Sequence, residues 1–149
     1  MYIDEFLNYI KSEKRYSKYT LTSYQTDLLQ FFSFLLDSFS IENPDKVNFK
    51  IIRSWISSLV ESGLKNTSVN RKISSLKSYF RFLEVSGYSS ENPTLKIISP
   101  KISKKLPVFV EKSNINDLLD KEYFKDDFCG HRDRLIIEVF YFTGIRLME

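Results

Sequence analysis

The chain has 149 residues, of which 42% are hydrophobic and 28% charged, the balance of an ordinary globular protein with a real core. Its single cysteine excludes an intramolecular disulfide, and its apolar runs are too short to span a membrane. The net charge is only +3, with the excess of cations before residue 100. Because only 4 glycines and 4 prolines occur, long helices are favoured over a turn-rich β fold. We therefore expect an all-α, cytoplasmic protein with no membrane partner.

Four amphipathic patterns follow one another in the first 87 residues. They predict helices over 2–14, 18–39, 48–62 and 66–86. Ser17 is expected to cap the second helix, while Gly63 and Gly87 are expected to end the third and fourth. Trp55 repeats with apolar neighbours along one face of the third helix, so we predict that it belongs to the core.

The start of the second predicted helix is a candidate anion site. Lys18, Thr20 and Ser23 place a cation and two short hydroxyls beside backbone N–H groups that have no partner within the helix. Helix N-termini of this kind bind phosphate readily. An ordinary capped helix start explains the same residues, and this segment alone leaves both interpretations open.

The fourth predicted helix separates apolar from basic residues. One narrow arc of its helical wheel holds Val69, Ile73, Leu76, Phe80 and Leu83. The other side holds three cations and three small polar residues with no acid, namely Asn70, Arg71, Ser74, Lys77, Ser78 and Arg81. Solvated faces usually mix charge signs, so this one suggests a polyanion whose phosphates the cations neutralise. Exposed cations are common, however, and a solvated face remains the alternative.

A composition change after Gly87 predicts a boundary. Residues 88–105 contain two prolines, four serines and few periodic apolar residues, and they end in a basic run over 101–105. We interpret them as an interdomain linker that could follow a nucleic-acid backbone. A second unit then opens at Leu106. Its expected elements are an extended stretch over 108–110, a helix over 114–123 capped by Ser113, a turn over 126–130, and a helix from about His131 to Gly144.

The end of the chain places an arginine directly after a helix-ending glycine. Gly144 can adopt backbone conformations that other residues avoid, so Arg146 could project from a fixed corner and grip a phosphate or carboxylate as a buried guanidinium. A helix cap followed by a surface arginine is the simpler alternative. Cys129 and His131 offer too few ligands for structural zinc, and no glycine-rich phosphate loop occurs, so we expect neither a metal site nor nucleotide hydrolysis.

Four stretches of the chain stand out together: Ser17-x-x-Thr20-x-x-x-Tyr24-x-x-Asp27-Leu28-x-x-Phe31; Thr67-x-x-x-Arg71-x-x-Ser74-x-Leu76-Lys77-Ser78-Tyr79-Phe80-Arg81-Phe82-Leu83; Asn92-Pro93 with Leu106-Pro107; and Arg132-Asp133 with Tyr141-x-Thr143-Gly144-Ile145-Arg146-x-x-Glu149. In these motifs and their order the chain resembles the tyrosine site-specific recombinases, in particular the bacterial Xer-like and phage-integrase-like members. Two departures touch none of the expected chemistry: Asn114 stands where an acid is usual, and Leu147-Met148 is an uncommon pair after the arginine.

The resemblance implies a four-helix, SAM-like core-binding domain over 1–87, a linker over 88–105, and the truncated start of a catalytic domain over 106–149. In this family the two domains clamp double-stranded DNA, and a tyrosine cleaves and rejoins strands through a phosphotyrosyl link without metal or nucleotide cofactor. Arg146 matches the first catalytic arginine, and Glu149 would orient it. The other catalytic groups would lie downstream.

We therefore expect a parent enzyme that acts as a tetramer on DNA, and a chain that binds DNA without cleaving it. Its expected DNA-binding residues are Lys18, Thr20, Asn70, Arg71, Ser74, Lys77, Ser78 and Arg81. Because its helices would lack most of their partners, residues 106–149 are expected to be loosely packed or to self-associate. A non-catalytic helical module that binds an acidic protein surface is the alternative from a different class.

Overall fold

The computed structural model describes residues 2–103, 106, 108–120 and 123–148, and all regular secondary structure in these residues is helical. This part contains no strand, and the all-α prediction is confirmed. The chain divides into two compact units, Met1–Ser103 and Lys104–Glu149. The helices are α1 (Ile3–Ser12), α2 (Lys18–Phe39), α3 (Phe49–Glu61), α4 (Asn66–Val85), α5 (Lys112–Asp120) and α6 (Phe128–Thr143), with a 3-10 turn at Pro44–Lys46.

The first unit is built around α4, whose apolar side faces α1, α2 and α3. All five residues of its predicted apolar arc are buried. Aromatic rings fill the space between the helices: the Phe31 and Trp55 rings meet edge-on at 5.0 Å, and Phe6 and Tyr79 at 5.5 Å. Such pairs each stabilise a core by about 0.5–1.5 kcal/mol beyond the burial of their area. Trp55 is therefore a core residue, as its periodicity predicted.

Local capping explains where these helices begin and end. The Ser17 hydroxyl accepts a hydrogen bond from the backbone N–H of Thr20 at 3.3 Å, so α2 begins where the sequence predicts. The Asn48 side chain caps α3 in the same way. Gly63 and Gly87 follow the ends of α3 and α4 with φ of +81° and +73°, left-handed values that glycine adopts without strain. Both predicted helix ends are confirmed.

Residues 94–101, here named the strap, pack against α4 rather than running clear of it. Thr94 and Ile97 are buried, and residues 88–103 all fall within the first compact unit. Three side chains of α4 hold the strap by donating hydrogen bonds to its carbonyl oxygens: Asn66 to Lys101, Asn70 to Pro100, and Lys77 to Ile97, at 2.9, 2.9 and 3.0 Å. The linker and domain boundaries remain a prediction, but this part of the segment has a fixed place on α4.

The second unit differs from the sequence prediction at both helix starts. Helix α5 begins at Lys112, so Ser113 lies inside it and is not its cap. Helix α6 begins at Phe128 because the Asp127 carboxylate accepts the backbone N–H of Gly130 at 2.8 Å. The prediction of a turn through 126–130 is therefore wrong in its second half. No helix among the described residues is long and apolar enough to cross a membrane.

Candidate nucleic-acid interface

Arg71 brings the basic face of α4 to the start of α2. Its Nη1 atom lies 2.5 Å from the Asp27 carboxylate and 3.4 Å from the Ser23 carbonyl oxygen, while 46% of its side chain stays exposed. Two cations predicted from separate segments, Lys18 and Arg71, thus meet at one shallow depression of about 490 Å³. The depression is lined by Lys18, Tyr19, Thr22, Ser23, Thr26 and Arg71.

Two of the hydroxyls around this depression already have hydrogen-bond acceptors. Thr22 donates to the Lys18 carbonyl at 3.1 Å, and Thr26 donates to the Thr22 carbonyl at 2.9 Å. Thr20, a predicted DNA-binding residue, is half-buried, and its hydroxyl lies 3.0 Å from that of Ser17 in the helix cap. The two cations are therefore the groups best placed to attract an anion here.

A buried polar cluster lies beneath Arg71 between α2 and α4. Asp27 is 0% exposed and accepts hydrogen bonds from Arg71, from Lys72 Nζ at 3.1 Å and from Ser75 Oγ at 2.8 Å. Lys72 also donates to the side-chain oxygen of Gln30. We name these residues, Asp27, Gln30, Arg71, Lys72 and Ser75, the Asp27 cluster.

The sequence prediction did not include Lys72 and Ser75. A signal for them was present: Asp27 falls between Tyr24, Leu28 and Phe31 on the buried side of α2. A carboxylate inside an apolar stripe requires cationic or hydrogen-bonding partners on the facing helix. The buried position of Asp27 therefore predicts that cationic or hydrogen-bonding side chains on α4 contact it.

The middle of the polar face of α4 makes contacts within the chain. Asn70 and Lys77 hold the strap, as described above. The Ser74 hydroxyl donates to the Asn70 carbonyl at 2.9 Å. The side-chain oxygen of Asn70 is buried and has no hydrogen-bond partner in the described part of the chain. DNA contact by these three residues remains a prediction, and each of them already has an intramolecular role.

Arg81, in the C-terminal half of α4, belongs to a second group of cations. Arg81 and the half-buried Ser78 line a depression of about 490 Å³ together with Lys14, which sequence reasoning did not select. The Lys14 ammonium lies 5.8 Å from the centre of the Tyr9 ring, within cation–π range. Because α4 rises about 1.5 Å per residue, Arg71 and Arg81 lie roughly 15 Å apart along its axis. These two exposed cations of α4 are thus separated along the helix by more than one phosphate spacing.

The corner that carries Arg146 belongs to the second unit. Gly144 has φ of +65° and ends α6 as predicted, and the Thr143 hydroxyl donates to the Val139 carbonyl at 2.5 Å. Arg146 itself is exposed, so the expectation of a buried guanidinium is wrong for this structure. Few apolar side chains of the described second unit are buried, so this part of the chain has little core of its own. Glu149 lies outside the described residues.

The predicted absence of a metal site concerns the segment around Cys129 and His131. His131 Nε2 lies 3.1 Å from an Asp126 carboxylate oxygen, and Cys129 is exposed. Among the described residues, no three His, Cys, Asp or Glu side chains are grouped so that they could hold a metal ion.

Comparison with known proteins places this helical unit in a family. The family described as phage integrase, N-terminal SAM-like domain, matches residues 3–87, and the chain belongs to it. More specifically, the chain is similar to the N-terminal part of Xer-like tyrosine recombinases. It is 38% identical to tyrosine recombinase XerC of Oceanobacillus iheyensis over 149 residues, covering 100% of this chain and 48% of that protein.

Two further relatives give the same picture. Tyrosine recombinase XerC of Thermodesulfovibrio yellowstonii is 38% identical over 148 residues, covering 99% of this chain and 47% of that protein. The protein of the same name from Staphylococcus aureus strain USA300 is 37% identical over 146 residues, covering 98% and 48%. The chain therefore spans about half the length of the curated relatives it matches.

Proposed function

We propose that this chain binds double-stranded DNA through the cations of α2 and α4, as the N-terminal part of a tyrosine recombinase. The observation that carries the proposal is the meeting of Lys18 and Arg71 at one depression, although they are 53 positions apart in the sequence. Arg81 and Lys14 extend the positive surface along the same unit. Cations spread over one surface in this way suit the repeating phosphates of a nucleic-acid backbone.

The parent protein is proposed to cleave and rejoin DNA strands through a phosphotyrosyl intermediate, acting as a tetramer on its target. Arg146 would neutralise charge on the phosphate oxygens in the transition state, with Glu149 orienting it. Residues 1–149 alone are proposed to bind DNA without cleaving it, and no metal or nucleotide cofactor is invoked. Incubation with a nicked suicide duplex tests this: a covalent adduct or cleavage product formed by residues 1–149 would contradict it.

Binding is tested by titrating fluorescent duplex DNA across a salt series with the wild-type chain and a Lys18→Glu/Arg81→Glu variant. Arg71 and Lys77 are left intact because they hold Asp27 and the strap. The wild type should show affinity that falls steeply with salt. The variant should lose at least about tenfold in affinity and about two units of salt slope, since each lost phosphate contact lowers the slope by about 0.9.

A Lys50→Glu/Arg53→Glu variant is the matched control. Both residues are exposed on α3, and the change in net charge is the same. If the two variants lose affinity equally, only net charge matters and the proposed surface is wrong. Salt-independent or undetectable binding by the wild type would instead favour the helical protein-interaction module, which would bind an acidic protein surface.

A further inference from the structure

Arg71 has one end fixed and one end exposed. Asp27 and Ser23 engage its Nη1 atom, while Nε and Nη2 make no hydrogen bond within the described part of the chain. The side chain remains 46% exposed beside the depression that it shares with Lys18. A planar guanidinium that is anchored through one nitrogen can still offer the others to a phosphate in a set direction.

Lys72 decides whether Arg71 keeps an effective positive charge. If Arg71 were the sole cation beside Asp27, the pair would be neutral and would attract phosphate weakly. Lys72, however, is buried, and its Nζ atom lies 3.1 Å from the other carboxylate oxygen. The cluster therefore contains two cations and one carboxylate. The buried lysine compensates the buried carboxylate, and the excess charge lies on the exposed arginine.

We propose that Asp27 is a positioning residue for DNA binding: it holds the Arg71 guanidinium ready for a backbone phosphate, and Lys72 compensates its charge. This inference rests on the proposed function, because it assigns a role within the same surface. The gain is in conformational entropy, since a long side chain that is already held loses less freedom when it binds. Asp27 itself does not touch the DNA.

The test removes the anchor without changing net charge. In an Asp27→Leu/Lys72→Met double variant the buried carboxylate and its compensating cation disappear together, no side-chain acceptor is left at position 27, and Arg71 stays. We expect duplex affinity about three- to tenfold weaker than wild type, the range for immobilising one long side chain, with the salt slope within about 0.3 of wild type because the phosphate contact itself persists. Folding is checked by thermal unfolding, and affinities are compared at temperatures where both chains are folded.

Ser75→Ala is the matched control. It removes a different hydrogen bond to the same Asp27 oxygen that Arg71 contacts. It should lower stability while leaving affinity within about twofold of wild type. If the double variant is folded and also binds within twofold of wild type, Asp27 is structural only and the inference is overturned.

Arg71→Lys carries the test if the double variant does not fold. This change keeps the charge but loses the planar fork that Asp27 can hold while other nitrogens face outward. If Asp27 positions the Arg71 guanidinium, the Arg71→Lys variant should bind duplex DNA about three- to tenfold more weakly than wild type. Affinity equal to wild type would mean that any cation suffices there, and would overturn the inference while the proposed DNA-binding surface stands. Absence of DNA binding by the wild type would overturn both.

Discussion

Lys72 and Asp27 form a buried ion pair between α4 and α2, with the Nζ and Oδ1 atoms 3.1 Å apart and the two side chains 6% and 0% exposed. Removing one partner of such a pair leaves an incompletely compensated charge in the interior. The pair therefore makes the fold of the first unit depend on a polar contact at its centre.

Lys72→Met tests this dependence. Arg71 and Ser75 would still contact Asp27, but the carboxylate would lose its buried cation, so we expect the free energy of unfolding to fall by about 3 kcal/mol. Urea unfolding followed by circular dichroism measures the change. Lys50→Met, on the exposed side of α3, is the control and should alter stability by less than about 0.5 kcal/mol. Equal stabilities for the two variants would show that the ion pair contributes nothing.

Ile97 and its neighbour Ile98 test the strap. Ile97 is 6% exposed and belongs to the core of the first unit, whereas Ile98 is 89% exposed. Ile97→Ala should lower the free energy of unfolding by about 2 kcal/mol, as for other buried isoleucines. Ile98→Ala should change it by less than about 0.5 kcal/mol. If both substitutions are neutral in urea unfolding, residues 94–101 do not contribute to the stability of the first unit.

The burial of Tyr79 predicts that the folded state becomes less stable at alkaline pH. Burial raises the pKa of its hydroxyl well above the ordinary value of 10.0. Above about pH 10 the unfolded chain loses this proton while the folded chain keeps it, so stability is intact below that pH and falls as pH rises, by up to about 1.4 kcal/mol per unit.

Tyr79→Phe should flatten that alkaline fall in urea unfolding between about pH 9 and pH 11. The Tyr79 hydroxyl is buried without a hydrogen-bond partner in the described residues, so the same variant should cost less than about 1 kcal/mol near pH 7. Tyr19→Phe, at a residue 82% exposed, is the control and should leave the profile unchanged. An unaltered alkaline fall in Tyr79→Phe would assign it to other groups.

Gly130 permits the close approach of Lys125 to the first turn of α6. A Cβ atom at position 130 would lie 1.9 Å from the Lys125 carbonyl oxygen, so Gly130→Ala requires the backbone to move. We expect the Asp127 cap to be lost and amide exchange at His131 to accelerate at least about fivefold, the effect of losing a cap of about 1 kcal/mol. Cys129→Ala, at an exposed neighbour, should leave the exchange rate unchanged. Equal rates in both variants would show that this turn accommodates a side chain.

The sequence predicted the architecture of the first unit because its signals are local. Helix α2 has the predicted bounds, since Ser17 caps it and an apolar stripe runs along it. Helices α3 and α4 end where glycine takes the left-handed conformation. Phe39 shows the limit of periodicity: it continues the apolar stripe of α2 in the sequence, yet it is the last residue of the helix and is 42% exposed.

The missed features depend on distant partners. The strap has no periodic pattern because side chains of α4 hold its carbonyl groups, and those contacts join residues 20 to 35 positions apart. The sequence predicts Lys18 and Arg71 as DNA-binding residues, each from its own helix. Their convergence, and the carboxylate beneath Arg71, required the packing of α2 on α4.

Most positions of α4 make a specific contact that limits which residues can replace them. Its apolar arc fills the core, Lys72 and Ser75 match one carboxylate, and three further side chains fit carbonyl groups of the strap. Substitutions accepted during divergence should therefore accumulate on the outer sides of α1 and α3. At the α4 positions that contact Asp27 or the strap, even a polar-to-polar exchange meets a specific partner, so hydropathy alone would be a poor guide to the replacements that these positions tolerate.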